Sequence, residues 1–182
     1  MSLRFEVLEM LESHQRASLL RVRDLQSGQE VTLRRYHAET EELDSQRELL
    51  ATIKALDHPS LERFHEVGSD EESLFAIVDP PAGKSLAGLL KQGPLSEAEF
   101  EQVARQILAG LAVLHERGIP HLSLRPEVIR VSSPSQGLLE VRVGGFGEGF
   151  GRKSETEPAE PAAYRCTAPE QWRGDAVGRR TD

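Results

Sequence analysis

The hydrophobic pattern changes its period partway along the chain, and this change most constrains the fold. Before residue 79, the runs "LRFEVLEML", "SLLRVRDL", "GQEVTLRRY", "ERFHEVG" and "SLFAIVD" largely alternate apolar and polar residues, as strands with one buried face do. Residues 39–56 have the apolar spacing and the end charges of one helix. The first part therefore predicts a mainly antiparallel sheet of five strands with one helix.

The segment "DPPAGKSL", with two prolines and a glycine, separates this part from a mainly helical remainder. A long helix is predicted to begin at Ser96, because "SEAE" is a capping box, and to end at Gly118. The residues of its predicted apolar stripe are Phe100, Val103, Ile107, Leu111 and Leu114. Two short strands, "VIRV" and "LEVRV", follow, so the fold class is α+β.

Composition excludes several classes of partner. The 22 Lys and Arg residues are outnumbered by 30 Asp and Glu, and the net charge of -8 disfavours nucleic acid and anionic membranes. The lone Cys166 suits a reducing compartment, and the six histidines show no metal-ligand spacing. The start "MSLRFEVLEML" mixes charges among its apolar residues and predicts no signal peptide, and the sequence contains no run of about 18 apolar residues. We therefore predict a cytoplasmic location, no nucleic acid partner and no membrane segment in this chain.

Several stretches, taken in order, resemble a serine/threonine protein kinase: "LDHPSLERFHEVG", "SEAEFEQVARQILAGLAVLHERGIPHLSLRPE" and "YRCTAPEQW". The last contains Ala168-Pro169-Glu170, the motif that closes a kinase activation segment. The resemblance implies a kinase-like two-lobe fold. Its N-lobe would be residues 1–79, its hinge 80–84 and its partial C-lobe 85–182. The C-lobe would include a catalytic-loop remnant at 121–128 and an activation segment at 145–170.

The resemblance also implies where ATP phosphates would lie, and those positions depart from the family pattern. Glu12, His14 and Ala17 stand where three glycines would let backbone N–H groups approach the phosphates. Arg34 stands at the lysine of the third strand, and its planar guanidinium is not equivalent to an ammonium. The cradling of phosphate is therefore expected to be disfavoured.

The partner of Arg34 in such a fold would be a glutamate of the following helix. Glu48 is nearby, but a count without a gap from His58-Pro59 puts Leu49 in that position. Either the helix is shifted by one residue or the ion pair is absent. The alternative is that Arg34 and Glu48 are both solvated surface charges.

Adenine recognition is expected to be compromised from two sides. In the family, a backbone carbonyl and a backbone N–H bind adenine. The resemblance assigns the carbonyl to Asp79 and the N–H to Pro81, but proline has no N–H. Arg130 stands where an apolar residue would lie beneath the ring. Burying an unpaired charge there would be costly, so we expect Arg130 to point into the cleft or to pair with an acid.

The catalytic loop "HLSLRPEVIRV" keeps the shape of the family motif but changes its chemistry. Ser123 replaces the aspartate base, and Val128 and Gly145 replace the two residues that bind metal. With Ser123 and Val128, Arg125 is also counted as a degenerate position of this loop. The stretch "LSLRPE", which contains Arg125, is nevertheless similar to the serine/threonine version of the motif. Ser154 and Thr156 stand where kinases accept activating phosphates, but a solvated acidic loop is the simpler interpretation.

Together these substitutions predict a pseudokinase: not an enzyme, with no cofactor or metal, acting as a regulatory or scaffolding module in signalling. Its predicted partners are proteins, such as an active kinase or another signalling domain. The competing hypothesis is a weakly active or atypical serine/threonine kinase that uses ATP and Mg²⁺. Because "GRRTD" ends where the central C-lobe helix of a kinase would begin, we expect a truncated form, an incomplete gene or a module completed by another chain.

Overall fold

A computed structural model describes residues 4–14, 16–37, 43–69, 73–135, 137–148 and 166–182. The chain divides into two units, each with its own sheet and core. Unit 1 comprises Met1–Leu56, Arg63–Pro80 and Gly147–Gly151, and unit 2 comprises Asp57–Glu62, Pro81–Phe146 and Arg152–Asp182. Ser154, Thr156 and most of the predicted activation segment lie outside the described residues, as do residues 39–42 of the first predicted helix.

Unit 1 contains an antiparallel sheet of five strands, in the order β1-β2-β3-β5-β4, and this confirms the predicted N-lobe sheet. The strands are β1 (Phe5–Ser13), β2 (Ala17–Asp24), β3 (Glu30–Tyr36), β4 (Phe64–Ser69) and β5 (Leu74–Val78). The helix α1 (Leu43–Lys54) follows β3 and packs against β4 and β5. The central position of β3 matters for the site, because it places Arg34 between β2 and β5.

The core of unit 1 forms where the apolar residues of the alternating strands meet. Its buried members are Phe5, Leu20, Val22, Leu33 and Phe75. The rings of Phe5 and Phe75 meet edge to face with their centroids 5.1 Å apart, a favourable aromatic geometry. Beside them Arg4 lies over the Phe5 ring and donates hydrogen bonds to Asp24 at 3.1 Å and Glu66 at 2.9 Å. This group of charges fastens the start of β1 to β2 and β4.

Unit 2 combines helices with a small sheet of three strands, as the partial, mainly helical C-lobe was predicted to do. The elements are β6 (Lys84–Ser85), α2 (Leu86–Leu90), α3 (Glu97–Glu116), β7 (Ile129–Ser135), β8 (Leu138–Val143) and α4 (Pro169–Arg173). The sheet order is β6-β7-β8. The helix α4 contains Trp172, which is the single tryptophan of the chain and is 38% exposed.

The capping box at the start of α3 is present: the Ser96 hydroxyl accepts a hydrogen bond from the Glu99 N–H, and the Glu99 carboxylate accepts one from the Ser96 N–H. The apolar stripe differs from the prediction at one end, because Phe100 is 63% exposed. The helix instead turns Gln102 and Gln106 to the backbone of β8, where Gln106 bonds both Leu139 and Val141. Its packed face therefore includes amides that an apolar spacing does not identify.

Gly83 precedes β6 where the chain passes close to β7. Its φ of +73° lies in the left-handed region, and a Cβ there would lie 2.1 Å from the carbonyl oxygen of Val131. Only glycine satisfies both conditions. Within the described residues, no helix has the length and apolar character needed to cross a membrane.

Candidate active site

The hairpin of β1 and β2 contains Glu12, His14 and Ala17, which stand at the positions of the phosphate-binding glycines. The His14 N–H donates to the Ala17 carbonyl at 2.9 Å, and the His14 ring lies 3.9 Å from the Glu12 carboxylate. Ala17 is fully buried. The backbone N–H of His14 is therefore engaged within the hairpin, and the Glu12 carboxylate lies beside the His14 ring.

Arg34 lies in the interior of unit 1 and not on its surface. Its Nη1 donates to the Glu148 carboxylate at 2.7 Å, and the two side chains are only 5% and 4% exposed. A short, charge-assisted hydrogen bond of this kind offsets part of the cost of burying both charges. The structure thus pairs the cation of β3 with a carboxylate that directly follows Phe146-Gly147.

The helix α1 contributes the side-chain amide of Gln46 next to the Arg34–Glu148 pair, at the backbone of Gly147. Gln46 is buried and its Nε2 donates to the Gly147 carbonyl at 3.2 Å. Glu48, by contrast, is exposed, and Leu49 is half-buried. Of the alternatives that the sequence left open, the surface location therefore holds for Glu48 and does not hold for Arg34. Glu148 was not considered as the partner, because no local pattern relates residues 34 and 148.

The predicted adenine-reading positions fall in different units. In unit 1, the Asp79 carboxylate lies 2.7 Å from the His65 Nε2, and the Asp79 N–H donates to the Arg63 carbonyl. Pro81 begins the next part of unit 2. Arg130 is half-buried in β7, directly opposite Arg142 of β8. Burial lowers the pKa of the Arg130 guanidinium, which nevertheless stays charged in proteins.

In unit 2, hydrogen bonds hold the residues of the predicted catalytic loop. His121 is buried beside Phe146, with ring centroids 4.8 Å apart, and its Nε2 donates to the Gly144 carbonyl at 2.9 Å. Its Nδ1 then accepts from the Ser123 N–H at 3.3 Å. Since both ring nitrogens are engaged, His121 packs and orients the loop and does not act as a base for Ser123.

The Ser123 hydroxyl and the residues around it face the start of the predicted activation segment. The hydroxyl donates to the Gly145 carbonyl at 3.2 Å, and Arg125 donates to the Ser123 carbonyl at 3.2 Å. The structure therefore brings Ser123 and Gly145 together, as their positions in the kinase motif imply. A hydroxyl that donates to a carbonyl does not provide the proton acceptor that a carboxylate would provide.

The residues at the metal positions do not fit Mg²⁺. Val128 is buried at 6% exposure and Gly145 adopts a φ of +77°, and neither has a side-chain oxygen, the ligand that Mg²⁺ requires. Across the described ranges, no group of three or more His, Cys, Asp or Glu side chains could hold a metal ion.

Asp182 supports the loop and was missed as a site residue in the sequence. Its carboxylate, with a side chain 1% exposed, accepts from the N–H groups of His121 at 2.7 Å and Leu122 at 2.8 Å. Leu122 has a φ of +63°, which is uncommon for a residue other than glycine. Gln171 of α4 donates to the Leu122 carbonyl at 2.8 Å. Residues distant in sequence therefore hold the backbone of the loop.

Comparison with known proteins defines the class to which this fold and site belong. The family profile for the protein kinase domain matches residues 6–182. The chain belongs to the protein kinase family, and this confirms the resemblance and the kinase-like fold.

Individual relatives of the chain bear the names of protein kinases. Ribosomal protein S6 kinase alpha-4 of Mus musculus is 31% identical over 148 residues, which are 80% of this chain and 19% of that protein. Serine/threonine-protein kinase pkn2 of Myxococcus xanthus is 27% identical over 138 residues, covering 71% of this chain and 16% of the relative. The chain thus spans about a fifth of the length of these curated relatives.

A solved structure supports the fold alone. The crystal structure of Rad53 1-466 in complex with AMP-PNP matches with a TM-score of 0.71 and 22% identity, over 93% of this chain and 43% of that one. Its bound AMP-PNP is a property of that protein.

These comparisons correct the expectation that the chain is not an enzyme. The relatives are named as protein kinases, and the family profile covers nearly the whole chain. That expectation rested on the substitutions at the predicted phosphate and adenine positions together with Ser123, Val128 and Gly145. Loss of a general base lowers a rate by about 10²–10⁴ and does not by itself abolish transfer, so the inference from those residues went too far.

Proposed function

We propose that this chain is a weakly active or atypical domain of the serine/threonine protein kinase type. It would bind ATP and transfer a phosphoryl group slowly to the hydroxyl of a protein substrate. The observation that carries the proposal is the match to the protein kinase domain over residues 6–182, in which Arg34 remains a buried cation with a carboxylate partner.

The retained cation suits this chemistry. Phosphoryl transfer depends mainly on positioning and on electrostatic stabilisation of charge that spreads over the phosphate oxygens. An arginine held by Glu148 in the central strand of unit 1 is a preorganised positive group, and guanidinium groups match phosphate geometry well. ATP would supply the phosphoryl group, and Arg34 is the residue of this chain that we assign to its phosphates.

The rest of the site supports a low rate. Ser123 replaces a proton acceptor with a hydroxyl that donates to Gly145. Glu12 of β1 is in register with Leu19 of β2, which is in register with Arg34 of β3, so a carboxylate shares this row of the sheet with the proposed phosphate cation and would repel a phosphate. The substrates and partners would be proteins of a signalling pathway. The cytoplasmic location and the lobe boundaries at 79, 84 and 85 stay predictions.

The experiment measures transfer of labelled γ-phosphate from ATP to the chain itself and to a mixture of generic protein substrates. Parallel reactions contain Mg²⁺, Mn²⁺ or a chelator. In addition, ATP at about 100 times its Kd should stabilise the fold by about 2.7 kcal/mol, which thermal unfolding detects. Absence of both stabilisation and transfer under all three conditions would overturn the proposal.

Two variants of the same strand provide the internal comparison. Arg34→Met removes the proposed phosphate cation, whereas Arg35→Met removes the neighbouring charge, which alternates to the other face of β3. We expect ATP-dependent stabilisation to be lost in the first variant and kept in the second. Equal loss in both variants would show that the effect is general to the sheet.

A further inference from the structure

We propose that Glu148 is a positioning residue for Arg34 and takes the role that a glutamate of the helix would have. This inference rests on the proposed function, since it concerns how the phosphate-contacting cation is held. It assigns control over ATP affinity to Glu148, the residue that directly follows Phe146-Gly147.

The contact itself is short and shielded from water. The Arg34 Nη1 and Glu148 Oε1 atoms are 2.7 Å apart, and both side chains are at least about 95% buried. Salt screens such a buried pair much less than an exposed one. Removing one member of a buried ion pair is strongly destabilising, so loss of the Glu148 carboxylate is expected to disturb the position of Arg34.

The described part of α1 has no buried carboxylate. Between Leu43 and Lys54 the acids are Asp44 and Glu48, and both are exposed. The buried residues of α1 are Gln46, Leu50 and Ile53. The helix therefore presents an amide and apolar groups to the interior, and the negative charge near Arg34 comes from residue 148.

Gly147 explains how Glu148 reaches this place. Its carbonyl accepts from the Gln46 amide at 3.2 Å, and its φ is +79°. A Cβ on this residue would lie 3.2 Å from both Leu50 Cδ2 and Tyr36 Cε1. The absence of a side chain lets the backbone approach α1 and β3 closely enough for the next residue to meet Arg34.

The test measures ATP affinity by titration of the full chain, for the wild type, Glu148→Gln and Glu48→Gln. The two substitutions remove the same charge, one buried beside Arg34 and one exposed on α1. We expect Glu148→Gln to weaken ATP affinity by about tenfold or more, which is the effect of losing one hydrogen bond to a charged group. We expect Glu48→Gln to leave the affinity within about twofold.

The exchange Arg34→Glu with Glu148→Arg separates positioning from a purely structural role and is informative even if Glu148→Gln fails to fold. It restores opposite charges, so its unfolding temperature should exceed that of either single exchange. It moves the cation away from position 34, so its ATP affinity should stay at least about tenfold below the wild type.

Each outcome separates the two proposals. Unchanged ATP affinity in Glu148→Gln, or equal weakening in Glu48→Gln, would overturn the role of Glu148 and leave the proposed function intact. Wild-type affinity in the exchanged protein would overturn both the role of Glu148 and the assignment of Arg34 to the phosphates, although ATP binding would stand. If the wild type itself shows no ATP binding, the proposed function fails, and the positioning role falls with it.

Discussion

Ser123 stands in the loop where a carboxylate would accept the proton of a substrate hydroxyl. Its own hydroxyl is a donor to the Gly145 carbonyl, in a backbone that His121 and Asp182 hold in place. The hydrogen bonds that shape the loop are therefore present, whereas position 123 lacks the proton acceptor that the kinase motif has there. This separation of scaffold and chemistry suggests that the activity can be raised by a single substitution.

We predict that Ser123→Asp raises the rate of labelled phosphate transfer by roughly tenfold to a hundredfold, since a positioned general base contributes about 10²–10⁴. The gain should fall short of the full value because Val128 and Gly145 are unchanged. Initial rates at saturating ATP measure the effect. Ser123→Asn has nearly the same shape but cannot accept the proton, and an equal gain in that variant would contradict the explanation.

Two glycines with nearly the same φ separate backbone strain from close packing. Gly83 has a φ of +73° and faces the Val131 carbonyl, whereas Gly28 has a φ of +74° and no atom within 4 Å of the added Cβ. We predict that Gly28→Ala costs about 1 kcal/mol of stability, from backbone strain alone. Gly83→Ala should cost at least about 1 kcal/mol more, because the backbone of β7 must move.

Chemical denaturation of both variants measures this difference. Equal losses of stability would mean that β7 relaxes freely around position 83. The midpoint of the transition is the quantity to compare, provided that its slope stays that of the wild type.

At the residue scale, the sequence indicates positions that depart from the kinase motif but not what those residues contact. Arg34 and Glu148 are separated by 114 positions, and Asp182 and Leu122 by 60. Hydrophobic periodicity and turn signals extend over only a few residues, so they cannot identify such pairs. Only the folded chain brings these residues together.

At the scale of single elements, α3 shows how a cap sets a boundary. The reciprocal bonds of Ser96 and Glu99 satisfy N–H groups that the first turn leaves without helical partners. The Ser96 hydroxyl and N–H also lower the pKa of the Glu99 carboxyl. The local sequence contains all of this information, and for that reason the start of α3 could be predicted.

We predict that Ser96→Ala destabilises unit 2 by about 1 kcal/mol, the usual cost of losing a side-chain cap. Thermal unfolding followed by circular dichroism measures the change. Ser96→Asp, which retains an acceptor oxygen at the cap, should recover most of the stability. If alanine and aspartate at this position behave alike, the cap contributes nothing measurable.

The strands and α1 were predictable for a similar reason, because alternation and helical spacing are local. The packed face of α3 was predictable only in part. Val103, Leu111 and Leu114 are buried as expected, but Phe100 is not. The contacts of Gln102 and Gln106 with β8 decide the orientation of the helix, and polar residues that face a strand look like solvent-facing residues in a sequence.

At the scale of the whole molecule, the charge pattern of unit 1 makes stability depend on pH. Hydrogen bonds from Arg4 are the main cause that lowers the pKa of Asp24 and of Glu66 below their ordinary values of 3.8 and 4.5. A carboxyl whose pKa is depressed in the folded state stabilises the protein above its unfolded pKa. That stabilisation is lost as the pH falls through the folded value.

We therefore predict that the free energy of unfolding falls as the pH is lowered below about 4.5, and that Arg4→Met reduces this dependence. Denaturation curves at several pH values measure the slope. Arg21→Met is the control, because the ion pairs of Arg21 with Glu9 and Glu30 are exposed, with each side chain at least 50% exposed. An unchanged slope in the Arg4 variant would contradict the assignment.

The position of Trp172 has a consequence for optical measurements of this chain. Trp172 is the single tryptophan and lies on α4, so indole fluorescence follows the unfolding of unit 2, and the sheet of unit 1 contains no indole. Amide circular dichroism averages over both units. Coincident melting curves from the two signals would indicate one cooperative transition, and separated curves would resolve the unfolding of each unit without any added label.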